Sequence, residues 1–341
     1  MQLIQLPPLP ALLRSVVGTT RAERLLAAVE VPSLPKAPEG RVHRSELAVA
    51  LAVLLLEDVT LRVPMAKAYV TDLARAGKRL LFDHGALRTV AAPCGDLPAG
   101  REAFARFLEP LGYRLNGVYP LDKIGMTGFV FTHEDLSEEI PQYFVSELHP
   151  ERFSPAFQAA VARVVGTSRD PLPAFAHGLL LELALEHSLA QADAERLLPE
   201  LVACFARQHA EPALADYEAL AVESDEMAWI ATEGQAFNHA TDRVDDVAAV
   251  AEEQRRLGRP IKPALETSRS GRVIQTAFRA AEVERLFVTS DGTLVTRRVP
   301  GSFHEFITRK RLENGALDLS FDAGNAQGIF AMTTRAGAER S

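Results

Sequence analysis

Apolar residues recur along this chain with two different periods, and the period switches several times. The opening third is spaced like helix. Thr20-Arg-Ala-Glu23 has the form of a capping box, with a hydroxyl placed to take the N3 amide and a carboxylate placed to reach back. Ser45 opens a second helix. The uncharged run from Leu47 to Leu56 lies inside it, between Glu46 and Glu57. At about half the length of a bilayer crossing, that run reads as a buried helix. Pro64 followed by Met-Ala-Lys-Ala suits a first turn, so a third helix is expected from there to near Gly77.

The spacing then alternates. Lys78-Arg-Leu-Leu-Phe-Asp-His84 leads into a strand-like segment, Gly85 to Ala91. A helix from Arg101 to Pro110 comes next, then three expected strands: Tyr113 to Tyr119, Met126 to Thr132 and Gln142 to Leu148. From Glu151 to Glu223 the pattern is helical again. Ser188-Leu-Ala-Gln191 offers a second capping box, and Leu197, Leu198, Leu201 and Phe205 form an apolar stripe. After Trp229 the strand-then-helix order recurs. Gln235 to Thr241 reads as a strand, and Val244 to Leu257 as a helix closed by Gly258. Further strands are expected at Ala264 to Thr267, Arg272 to Arg279 and Gly301 to Thr308.

The expected fold is therefore α+β. Two β-α-β-β-β units form one curved, partly open barrel-like sheet, with N-terminal and inserted helices. The boundaries are an N-terminal helical segment at 1–77, the first unit at 78–150, a helical insertion at 151–230, and the second unit with a C-terminal tail at 231–341. Together they make one compact catalytic domain. The duplication rests on the order of elements and on a histidine in the opening strand of each unit, since identical residues do not recur.

Composition narrows the function classes. With 47% hydrophobic and 24% charged residues over 341 positions, the chain has the balance of an ordinary globular protein. A net charge of -8 argues against nucleic acid as a partner. Cys94 and Cys204 are far apart, which excludes a cysteine-built zinc site and suits a reducing compartment. The start, Met1-Gln-Leu-Ile-Gln, lacks basic residues, and Pro7, Pro8 and Pro10 interrupt its apolar stretch, so it does not read as a signal peptide. A cytoplasmic protein with no membrane or nucleic-acid partner is expected. Protein partners are left open.

Two imidazoles and one carboxylate on a single face make the facial site that non-haem Fe(II) favours, with positions left open for substrate and oxygen. The opening strands supply His84 and His239, and the closing strand, Ser302-Phe-His-Glu305-Phe-Ile-Thr, supplies Glu305. Each has a plainer reading: His84 as a turn or surface histidine, His239 as a hydrogen-bonded core histidine, Glu305 as the polar face of an amphipathic strand. Their equivalent places in a duplicated unit favour the metal. His304 should point away from Glu305, because side chains alternate along a strand. His133, His149, His177, His187 and His209 fall in expected loops or helices and read as structural or solvated.

Four segments carry a resemblance. Phe82-Asp-His84-Gly-Ala-Leu-Arg88-Thr, Phe144-Val-Ser-Glu-Leu-His-Pro-Glu-Arg152-Phe, Phe237-Asn-His239-Ala-Thr and Phe303-His-Glu305-Phe-Ile resemble the 2-oxoadipate dioxygenase/decarboxylase family, also called hydroxyglutarate synthases. The resemblance runs from Leu80 to Phe330. It implies the vicinal oxygen chelate fold, Fe(II) on the residues matching His84, His239 and Glu305, and an arginine, Arg88, gripping a substrate carboxylate. The expected reaction takes 2-oxoadipate, or a similar 2-oxo diacid, and O2 to 2-hydroxyglutarate and CO2. The metal centre carries the chemistry, with no separate acid or base residue assigned.

The residues support Arg88 independently. Along a continuous strand it shares a face with His84 about 13 Å away, and its planar fork pairs bidentately with carboxylate. A surface salt bridge is the plainer reading. Gln275 alternates with apolar residues on a strand and faces either the pocket or an exposed edge, while Arg309 reads as a surface charge. The rival function is a metal-dependent isomerase or lyase on the same scaffold. Its signature would be an extra ligand from the Gln142–Leu148 strand, where Ser146 or Glu147 is placed as Glu305 is in the second unit.

Overall fold

The chain begins with helices α1 (Pro8–Val17) and α2 (Thr19–Ala28), a short strand β1 (Arg41–His43), and helices α3 (Arg44–Arg62) and α4 (Pro64–Arg75). This computed structural model describes residues 8–322. The Met1–Gln5 start and the tail beyond 322 lie outside the described residues. Apolar on nearly every side, α3 buries every residue from Arg44 to Glu57. It starts on a capping box made by His43 and Glu46. The box expected at Thr20 does not form. Helix α2 instead starts behind Gly18, whose φ of 82° suits glycine, and Glu23 turns to Arg14.

The first unit consists of β2 (Phe82–Val90), α5 (Glu102–Leu108), β3 (Tyr113–Leu121), β4 (Met126–His133) and β5 (Gln142–Leu148). Between the units lie α6 (Pro155–Val165), α7 (Ala174–Glu186), β6 (Ser188–Ala190), α8 (Gln191–Ala203), α9 (Leu214–Glu223) and α10 (Asp225–Glu233). Ser188-Leu-Ala-Gln191 is thus no capping box. Leu189 is fully buried, and its segment pairs with β1 as a strand, Val42 opposite Leu189.

The second unit comprises β7 (Phe237–Arg243), α11 (Val247–Arg256), β8 (Glu266–Thr267), β9 (Val273–Ala277), and, after a hairpin of β10 (Glu282–Val288) and β11 (Leu294–Pro300), β12 (Phe303–Arg309). Alternation alone did not separate this hairpin from loop, because it leaves the main sheet and exposes much of both faces. Its Asp291-Gly292 turn was the available signal.

Eight strands form one sheet in the order β3-β4-β5-β2-β7-β12-β9-β8, curled into a half-barrel. Strands β2 and β7 meet antiparallel at its centre and join the two units. In each unit the first strand lies parallel to the last, β2 with β5 and β7 with β12. One face is apolar. Leu87, Val145, Ala240 and Phe306 merge there with α1, α3 and α8 into the main core. A second core surrounds Trp229 of α10, whose indole donates to the Gly301 carbonyl at 3.0 Å. Among the described residues, no helix is long and apolar enough to cross a membrane.

Candidate metal centre

The other face of the sheet is set by the same alternation. In the register, Thr241 of β7 lies directly between His84 of β2 and Glu305 of β12, and His239 pairs with Ala86. Three adjacent strands therefore bring His84, His239 and Glu305 together. Their candidate ligand atoms all lie within 4.8 Å of one another, and all three residues are buried. Glu305 Oε2 sits 3.4 Å from His84 Nε2 and 3.2 Å from His239 Nε2. The Thr241 hydroxyl donates to Glu305 Oε2 at 2.7 Å and lies 3.1 Å from His84 Nε2.

Two irregularities aim these residues. Between Phe82 and His84 the β2–β7 register slips, so Asp83 is extra. Its carboxylate can then lie beside its own neighbour, and His84 Nδ1 donates to it at 2.8 Å. A second slip, opposite Ala86 and Leu87, makes Asn238 the extra residue. Phe237 turns to the core, while Asn238 and His239 both line the pocket.

The electrostatics suit a cation. Burial opposes a charged His84, but the carboxylates of Asp83 and Glu305 outweigh it and hold its pKa above the ordinary value. Burial likewise pushes Glu305 upward, yet His239 and His84 hold its carboxyl well below the usual range. Burial lowers the pKa of His239. Glu305 Oε1 and His239 Nδ1 are buried with no hydrogen-bond partner among the described residues. Orphaned polar atoms beside two imidazoles and a carboxylate are the donor set a divalent metal satisfies.

The pocket over this cluster has apolar walls, Ala86, Phe144 and Phe321, with Ser146, Asn238 and Gln275 as polar points. Gln275 lines the pocket rather than an exposed edge, and its amide donates to Glu266 at 3.3 Å. Glu147 points elsewhere and accepts the Arg101 amide at 2.7 Å. Matching His84 with His239 through the parallel pairs makes Phe144 the counterpart of Glu305, because Ala86 pairs with Phe144 as Thr241 pairs with Glu305. The first unit thus places a phenyl ring where the second places a carboxylate.

Arg88 shares the face of His84 but is fully buried, opposite Ser146 in the register and outside the pocket lining. Its guanidinium lies 2.7 Å from the buried Glu226 carboxylate and 4.8 Å from the Trp229 ring centre. Arg309 is not a surface charge. It is buried, and its fork holds Asp83 at 2.9–3.0 Å. Sequence reading missed this pair, although Arg309 has the same strand parity as Glu305. His304 does face the opposite side, packed on Tyr69 and Phe306, and neither ring nitrogen has a hydrogen-bond partner among the described residues. His133 closes β4 rather than a loop and bonds the Leu111 carbonyl.

Residues 49–330 match the family model described as 2-oxoadipate dioxygenase/decarboxylase. A solved glyoxalase superfamily protein from Ralstonia eutropha JMP134 is 54% identical, with a TM-score of 0.91 over 94% of this chain and 100% of that one. The chloroplastic/amyloplastic 2-oxoadipate dioxygenase/decarboxylase of Oryza sativa subsp. japonica is 24% identical over 348 residues, 92% of this chain and 87% of that protein. The hydroxyglutarate synthase of Oryza sativa, solved in complex with 2-oxoadipate, shares the fold with a TM-score of 0.67 at 22% identity, over 91% of this chain and 98% of that one.

Proposed function

Since the chain belongs to the 2-oxoadipate dioxygenase/decarboxylase family, we propose that it is an Fe(II)-dependent enzyme. It would convert 2-oxoadipate, or a similar 2-oxo diacid, and O2 to 2-hydroxyglutarate and CO2. The observation that carries this reading is the buried cluster of His84, His239 and Glu305 opening on a largely apolar pocket. Bound there, Fe(II) would supply open positions for a 2-oxo acid chelate and electrons for O2.

The chain's own residues have separate tasks. Asp83 holds the Nδ1 proton of His84 and so keeps Nε2 turned to the cluster. Glu305 lowers the charge of the site without closing it, and Thr241 fixes its Oε2. Ala86, Phe144 and Phe321 exclude water from the reacting carbons. Ser146, Asn238 and Gln275 offer hydrogen bonds to the 2-oxo acid end. Arg88, farther along the same strand face and paired with Glu226, takes the distal carboxylate on its guanidinium.

Phe144 in the counterpart position of Glu305, and Glu147 committed to the Arg101 amide, both weigh against the isomerase or lyase reading, which needs a further ligand. The test is anaerobic reconstitution with Fe(II), then O2 uptake with a panel of 2-oxo diacids. One O2 consumed per 2-oxoadipate, with equal CO2 and 2-hydroxyglutarate, is expected. Substrate turnover without O2 would favour the isomerase or lyase instead.

A further inference from the structure

One charged group inside this fold serves two structures at once. The Arg309 fork holds both Asp83 oxygens, through Nε at 3.0 Å to each and Nη2 at 2.9 Å to Oδ1. Its remaining nitrogen, Nη1, donates to the carbonyls of Asp318 at 3.0 Å and Ser320 at 2.8 Å. The guanidinium plane also lies 4.9 Å from the Phe321 ring centre. Phe321 in turn meets the edge of His84 at 4.9 Å and walls the pocket beside Phe144. The route from the C-terminal segment to the metal cluster is therefore closed. It runs from the 318–321 backbone through Arg309 and Asp83 to His84, and returns through Phe321.

The contacts are buried. Side-chain exposure is 0% for Arg309 and 1% for Asp83. A buried carboxylate that loses its fixed cation turns toward another donor, and that frees the His84 ring. The 318–321 segment lies outside every strand and helix of the described residues. Beyond its bonds to Arg309, it is tied through the Asp318 amide to the Lys310 carbonyl at 3.0 Å, through the Asp318 carboxylate to Arg272, and through the Phe321 amide to the Tyr119 hydroxyl.

We propose that Arg309 is a positioning residue that couples metal binding at His84 to the seating of residues 318–321 as a pocket wall. The coupling rests on the reading of His84, His239 and Glu305 as metal ligands. By linkage it runs both ways: whatever factor metal binding adds to the seating, seating adds to metal affinity.

Co(II) serves as the probe, since its visible bands report binding without turnover. Two quantities are measured anaerobically: the Co(II) dissociation constant, and the rate at which a protease cuts the chain after residue 309, with and without Co(II). In the wild type, Co(II) should slow that cleavage at least tenfold. Arg309→Lys keeps the charge but loses the fork. It should weaken Co(II) binding ten- to hundredfold and make cleavage insensitive to the metal. Phe321→Ala leaves Asp83 and Arg309 in place and should weaken Co(II) less than Arg309→Lys does. Wild type that binds Co(II) with unchanged cleavage would overturn the coupling while leaving the metal site intact, whether or not the variants fold. A folded Arg309→Lys variant with wild-type Co(II) affinity would overturn it as well. Wild type that binds no Co(II) would remove the metal reading, and this inference with it.

Discussion

Removing Arg88 tests two roles that a single substitution confuses. The guanidinium and Glu226 are both buried and 2.7 Å apart. Arg88→Ala strands a carboxylate in the core, and breaking such a pair costs about 3–5 kcal/mol of stability. Lost activity in that variant would say little about substrate. Burial already pushes the Glu226 pKa up to about 7, against the pull of Arg88. An uncharged amide is therefore a fair replacement. Arg88→Met with Glu226→Gln removes both charges at similar volume and should be close to neutral in urea denaturation. What it should lose is preference for a diacid. A buried guanidinium–carboxylate contact with a ligand is worth about 2–5 kcal/mol, which converts to roughly 30- to 4,000-fold in relative efficiency. The assay is the ratio of kcat/KM for 2-oxoadipate over 2-oxohexanoate, read by O2 uptake in wild type and double variant. Arg88→Lys should restore little, because an ammonium lacks the fork. A double variant that folds, turns over and keeps the wild-type ratio would place Arg88 among the structural ion pairs and refute its part in binding.

Two buried groups outside the pocket give further expected outcomes. His304 is fully buried, and neither ring nitrogen has a partner among the described residues, so His304→Leu should raise stability by about 1–3 kcal/mol, seen as a higher urea midpoint. Burial raises the Asp242 pKa to about 7, although the Tyr69 hydroxyl and the Leu81 amide both donate to it. A raised carboxyl contributes stability below the unfolded pKa and loses it as pH rises toward 7. Relative to Asp242→Asn, wild type should therefore lose stability from pH 4 to 7, by at most about 1.4 kcal/mol per unit. A flat difference across that range would contradict the assignment.

The sheet was legible because its strands alternate cleanly and recur in the same order on either side of a helical stretch. The same periodicity places His84, His239 and Glu305 on one face and turns His304 away. What it concealed came from places where alternation breaks or where contacts are distant in sequence. Asp83 precedes His84 and would face away on a regular strand; a bulge brings it back. Arg309 lies 226 positions from Asp83, and nothing local marks that partnership, so a terminal arginine read as surface. Arg88 was legible as a buried-side cation by its parity with His84, but not its pairing with Glu226 on a helix of the insertion. The expected capping boxes failed for a related reason. Hydroxyl-to-carboxylate spacing is common, and tertiary pairing of Leu189 with β1 outweighed it.

Fe(II) binding by the wild type and by the three single variants His84→Ala, His239→Ala and Glu305→Ala tests the central claim most directly. Each protein is titrated anaerobically and checked for fold by circular dichroism. The wild type should take up one Fe(II) per chain, and each variant should keep its fold while losing that uptake and all O2 consumption with 2-oxoadipate. Folded variants that bind Fe(II) as the wild type does, or metal-free wild type that consumes O2 at the full rate, would contradict the account.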